Sequence, residues 1–328
     1  MTLYSGRQGY AAISVQTSPT TPVQPDVFIP YTSLGWDSAP DRSYETEHRA
    51  NTDKNHAPIT SSVTTEGSIT FPAYPAGGLE HAFYGVFGSY TATTYDSTPA
   101  YGYSFTQGPT LPIFTLANGL SDLNYREYSN VMFKSLKLSA QPKEKLEVTV
   151  DGFSYMMNIS NTKLTPSYTT NNALNFSDLT ISYGGSSVCN ILSVELEIDR
   201  GTESYYTACE GLNYGLAHSP YFAVTGTFEA FFEDWSYVQD WMGDTNTFDD
   251  SPTSKEMVLT FTGDLLPGTT DKYTNLVITL PKVYLDAVPL PFEGDEAIKM
   301  SISFTAVYDA STTKTASAVI TSNLADIS

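Results

Sequence analysis

The strongest constraint in this 328-residue chain is one unit, an alternating strand that runs straight into a short aromatic helix, and it occurs twice. In the later copy, Ala223 to Asp244, the residues Val224, Gly226, Phe228 and Ala230 fall on one face and Thr225, Thr227 and Glu229 on the other. That is the period-two signature of a half-buried strand. From Asp234 the period changes: Trp235, Val238, Trp241 and Met242 recur at helical spacing behind Glu233 and Asp234, acids placed where a helix dipole favours negative charge. In the earlier copy, Val63 to Gly88, the residues Val63, Thr65, Gly67, Ile69 and Phe71 alternate, and Leu79, Phe83, Tyr84 and Phe87 follow as the apolar stripe. Setting Phe71 on Phe228 also sets Ala73 on Ala230 and Tyr84 on Trp241 without a gap.

Two further matches follow in the same order, which argues against a chance likeness of two β domains. Tyr128-Ser129-Asn130-Val131 answers to Tyr273-Thr274-Asn275-Leu276, and Glu144 to Val150, ending at Tyr155, answers to Glu296 to Ile302, ending at Tyr308. The chain therefore reads as an internal duplication of a strand-rich domain. Phe71 lies further from Tyr128 than Phe228 does from Tyr273, so the first copy carries extra residues, assigned to the Thr/Tyr/Ser-rich piece Thr91 to Tyr103. The second copy carries the longer loop Asp286 to Asp295.

Composition agrees with strands and narrows the partners. The length suits two domains or one large β domain, and 23 tyrosines among dense Thr and Ser fit pleated surfaces. A formal charge of −20 repels nucleic acid and anionic membranes as a whole, and is also what solubility alone asks for. No stretch has the length of a transmembrane helix and the first residues lack a signal-peptide core, so the chain is expected to stay where it is made, without membrane binding. Cys189 and Cys209 are too few for a disulfide framework and are expected reduced and buried.

Taken in order, residues 1–30 form an N-terminal arm whose Thr17 to Pro30 part carries four prolines, expected to be ordered only against something else. A first β domain follows over 31–160, opening with a loop and one edge strand between Tyr31 and Pro58, which also holds His48 and His56. Ser135 to Tyr155 reads as a β-hairpin with Leu136, Leu138, Leu146, Val148 and Val150 toward the core. The linker is placed at 161–176, the second β domain at 177–310 and a weakly patterned tail at 311–328. In the second domain Leu192, Val194, Leu196 and Ile198 alternate with Ser193, Glu195, Glu197 and Asp199. Pro281 interrupts a later strand and should lie at an edge or a bulge.

The sequence offers no convergent reactive groups, so no catalytic residue, metal ligand or cofactor is assigned. The four histidines sit at no metal-ligand spacing, and HExxH, CxxC, a phosphate loop and a nucleophile elbow are absent. Asp244, Asn246, Asp249, Asp250 and Glu256 cluster in the manner of a calcium loop, but Phe248 stands where an oxygen ligand is needed, and a solvated acidic loop is the better account. Glu195 and Glu197 form a carboxylate pair, but acids alternating along a strand are usually its wet face.

With these elements in this order, the chain resembles the tail tube, or major tail, proteins of long-tailed bacteriophages, especially those with two fused tube domains. The resemblance rests on the leader SGRQGYAAISVQTSPTTPVQPDVFIP, the units EGSITFPAYPAGGLEHAFYGVFG and VTGTFEAFFEDWSYVQDWMGD, and the closing LVITLPKVYLDAVPLPFEGDEAIKMSISFTAVYD. It implies an all-β protein: two tandem β-sandwich or half-barrel domains, each with a short flanking α-helix, with an extended arm and long loops. It further implies trimeric, pseudo-hexameric rings that stack into a tube in the virion tail, assembled in the host bacterial cytoplasm. The implied partners are further copies of the chain, a tape measure protein, a tail terminator and a distal tail protein, with DNA only as transient cargo. The outward faces of the hairpin strands become the lumen candidates: Lys145, Glu147, Thr149 and Asp151 in the first copy, with Glu195, Glu197 and Asp199, or Lys299, Ser301 and Ser303, in the second. The rival is a carbohydrate-binding adhesin of a tail tip or cell surface, holding glycans against Tyr95, Tyr101 and Tyr103.

Overall fold

A computed structural model describes residues 4–327 other than 20, 48–53, 56, 96–98, 122, 251 and 292–296; His48 and His56 thus lie outside the described residues. The first run of elements is β1 (Gly9–Gln16), β2 (Val27–Ile29), β3 (Ser33–Tyr44), β4 (Pro58–Pro72), α1 (Leu79–Phe87), β5 (Gly88–Thr94), β6 (Tyr101–Gln107), β7 (Ile113–Leu120), β8 (Arg126–Ala140), β9 (Glu147–Phe153) and β10 (Met156–Ile159). The second is β11 (Leu179–Tyr183), β12 (Ser186–Val188), β13 (Ile191–Asp199), β14 (Glu203–Tyr206), β15 (Tyr214–His218), β16 (Ala223–Phe231), α2 (Ser236–Met242), β17 (Lys255–Leu265), β18 (Tyr273–Ala287), β19 (Lys299–Ala306) and β20 (Ser317–Ser322). Among the described residues the protein is all-β apart from α1, α2 and two 3₁₀ turns.

Antiparallel pairing runs β2-β1-β7-β8-β9-β4-β3 in the first run. It runs β12-β11-β17-β18-β19-β16-β13 in the second. β10 adds to β8, and β20 adds to β18. Among the described residues two strand pairings join the runs: β13 pairs with the second half of β8, and β20 pairs with β6. The alternation read from the sequence sets which way each strand faces. Leu136, Leu138, Val148, Val150, Val194, Leu196, Ile198, Val224, Phe228, Ile302 and Phe304 all enter one contiguous apolar core that draws on both runs. The Ser135 to Tyr155 hairpin and the edge position of β3 are as expected. Pro281 sits at a bulge opposite Lys255 and Met257, at the point where β18 passes from β20 to β19.

Three segments depart from expectation, each because its burial comes from residues distant in sequence. Gly9–Gln16, part of the expected arm, is ordered within the chain: β1 lies between β2 and β7 and buries both faces, Ala11 and Ile13 in the main core and Tyr10 and Ala12 in a small second cluster. The tail contributes β20, with Ala318 and Ile320 buried between β18 and β6. In the linker, Leu174 is buried and its backbone ties Leu146 to Ala73, at 2.8 and 3.0 Å. The described ends of the extra piece Thr91 to Tyr103 belong to β5 and β6, which pair with each other. The cysteines were expected buried; both are free and exposed, since each lies in a connection outside the sheets.

Candidate functional site

The expected lumen residues come together on one face of the sheet that crosses from one run to the other. Along β9-β8-β13-β16-β19, Thr149 lies opposite Lys137, Lys137 opposite Glu197, Glu197 opposite Thr225, and Thr225 opposite Thr305. The next row on that face is Glu147, Ser139, Glu195, Thr227 and Ser303, and on the other side of it runs Asp151, Ser135, Asp199 and Ala223. Ser301 opposite Glu229 and Lys299 opposite Phe231 continue the same parity. The face follows from strand geometry: successive side chains alternate, so residues whose neighbours enter the core must point the other way.

Lys145 is the exception. It precedes β9, and its ammonium donates to the Tyr74 hydroxyl at 3.0 Å, away from these rows. Sequence reasoning left out Lys137, Ser139 and Glu229 as site residues, although the same alternation carries them to this face.

The acids Glu147, Asp151, Glu195, Glu197, Asp199 and Glu229 outnumber the lysines Lys137 and Lys299 there, and one pair, Lys137 with Glu197, bridges the two runs at 3.3 Å. That pair is half exposed and contributes little stability. Asp151 accepts from the Ser135 hydroxyl, and Asp199 accepts from Tyr221 at 2.9 Å, a bond to a carboxylate that pushes the Tyr221 hydroxyl pKa up. Thr149, Glu195, Glu197, Ser303 and Asp286 share one shallow, open depression. Nothing in it pairs a nucleophile with a base; its chemistry is that of a smooth, hydroxyl-rich, acidic surface.

The tyrosines proposed for glycan binding form no platform. Tyr103 is fully buried and donates to the Leu324 carbonyl at 2.8 Å, Tyr101 packs partly on the core, and Tyr95 lies under the Lys272 ammonium. Among the described residues no group of three or more His, Cys, Asp and Glu is clustered to hold a metal ion, and Asp244 of the acidic loop accepts from Thr245 and Thr247. No helix among them is long and apolar enough to cross a membrane.

The sheet thus has one apolar core face and one acidic wet face, with no reactive constellation on it. The family model described as "Phage tail tube protein" matches residues 6–317, and the chain belongs to that family. No curated protein sequence matches it. Its role is that of a tail tube subunit, structural and non-catalytic.

Proposed function

We propose that the chain is a duplicated tube subunit, with domains at 31–160 and 177–310 joined by 161–176, three of which close a pseudo-hexameric ring. The identical pairing order of the two runs, β3-β4-β9-β8-β7-β1-β2 against β13-β16-β19-β18-β17-β11-β12, supports the duplication. On this reading β1 and β2, from the segment before residue 31, complete the sheet of the first domain as β11 and β12 complete that of the second, while β10 and β20 occupy matching places on β8 and β18.

The observation that carries the lumen assignment is the unbroken acidic face across both domains. Glu147, Thr149, Asp151, Glu195, Glu197, Asp199, Lys299, Ser301 and Ser303 line the channel, and its excess of carboxylates repels the DNA phosphates so that DNA slides through without sticking. Rings stack head to tail in the virion tail after assembly in the host cytoplasm. The tape measure protein fills the tube before DNA, and the terminator and distal tail proteins cap its ends. Electron microscopy of the concentrated protein, with its solution mass, tests the reading: hollow tubes with three chains per ring are expected. Rings with any other number of chains would refute the trimer.

A further inference from the structure

β3 is 12 residues long and pairs only with β4 among the described strands, so its outer edge is open. An open edge of this length is a template for another strand. The strand in the same place in the second run, β13, has that edge occupied by β8. β8 holds β7 and then β13 along one edge, with β10 and then β9 along the other. β18, its counterpart, holds β20 and then β19 along one edge and β17 along the other, but β17 stops at Val283. From Tyr284 onward no strand among the described residues takes the place that β13 takes on β8; the backbone contact that α2 makes there is from Trp241 Nε1 to the Asp286 carbonyl, at 3.1 Å. The chain thus carries both halves of its own internal junction, unused, at opposite ends.

We propose that β3 of one chain pairs antiparallel with the edge from Tyr284 to Pro291 of a second copy, with Gly35 opposite Ala287, repeating between chains the β13–β8 junction within one. This rests on the tube reading and names the surface by which its rings close. The register follows from the existing pairs. Gly35 faces Ser68 and Glu197 faces Thr225, and the Phe71–Phe228 match sets Ser68 on Thr225, so Gly35 answers to Glu197. Glu197 lies opposite Lys137, whose β9 partner is Thr149. Phe71 faces Val148 and Phe228 faces Ile302, so strand pairing shifts the sequence match of Val150 with Ile302 by two residues, and Thr149 answers to Ser303, whose β18 partner is Ala287.

Two features outside the backbone match agree. The register carries exposed Pro289 and Pro291 toward Ser33 and Tyr31, where Tyr31, Tyr74 and Tyr168 line an open groove. Proline-rich extended chain docks on aromatic-lined grooves because it is already ordered, and prolines belong on an edge. Gly35 also leaves room for a side chain, since a Cβ there would meet only Ser68 Oγ, at 4.0 Å.

The test is a cysteine pair, Gly35→Cys with Ala287→Cys, in a full chain whose exposed Cys189 and Cys209 are changed to Ser. Oxidation of assembled protein should give covalent dimers and trimers on a denaturing gel, lost on reduction. The pair Lys137→Cys with Glu197→Cys should instead close within one chain and run as a monomer. Rings or tubes that form without the 35–287 bond would overturn the junction and leave the tube reading standing, as would dimers from Gly35→Cys alone, which mean β3 against β3. A chain that neither assembles nor cross-links would count against both.

Discussion

The two helices occupy the same place after the same kind of strand, and both end at a glycine in the left-handed region, Gly88 at φ 85° and Gly243 at φ 83°. Such a residue stops a helix at little cost because it has no Cβ. Their surroundings differ completely. Every residue of α1 except Tyr84 is buried, whereas no residue of α2 is. α1 lies under the β5–β6 hairpin, with Phe105 at 5.9 Å from Phe83, and under Phe222, at 5.5 Å from Phe87. α2 has no such hairpin: Trp241 donates to the Asp286 carbonyl and packs on Phe248, which is itself 66% exposed. A helix's own stripe therefore does not fix its burial. The segments that fold over it do, here an insertion present in one run and a C-terminal strand shared by both.

The sharpest way to break this contrast is to remove the cover of α1. Ile320→Asp puts a carboxylate into the seam where β20 joins β18 to β6, and should cost at least about 4 kcal/mol, as a buried unpaired charge does. Urea unfolding would read it; an unchanged midpoint would mean that β20 is dispensable. Next comes the matched pair of truncations. Phe83→Ala should cost about 3–5 kcal/mol, and Trp241→Ala only about 1–2 kcal/mol because the indole is partly exposed. Equal losses would show that α2 is covered in solution.

A further effect is in pH. Burial in α1 pushes the His81 imidazole down to about 4, against smaller upward pulls from Asp26, the Ile327 backbone and Asp326. A group depressed on folding contributes fully above its unfolded value of 6.5, and that contribution fades as pH falls toward 4, by about 3 kcal/mol in all. Its neighbour Glu80 is raised by burial and works the other way, favouring the fold at low pH and losing that effect as pH rises. Stability of His81→Phe measured from pH 7 to pH 4 should lack the acid-side loss that the parent chain shows. A parallel loss in both would assign it elsewhere.

Much of the architecture was legible because strand alternation is local. The direction of Leu136, Leu138, Val148, Val150 and of Leu196 and Ile198 needs only the backbone's period of two, and that same rule set Glu147 and Thr149 on one face of their strand, and Glu195 and Glu197 on one face of theirs, before any pairing was known. The aromatic helices were legible for a similar reason, as a change of period behind an acidic turn. What could not be read was pairing between distant strands. Gly9–Gln16 and Ser317–Ser322 look like arm and tail because their small, mixed residues carry little signal, and they become strands only when β7, β18 and β6 supply partners for their backbone groups. Likewise, only the β13–β8 pairing brought the acids of the two runs into continuous rows. The sequence by itself determined which side chains turn inward, since that is a property of each strand alone. The tertiary structure decided which strands lie side by side and which helix is covered, because hydrogen bonds and burial there belong to residues far apart in the chain.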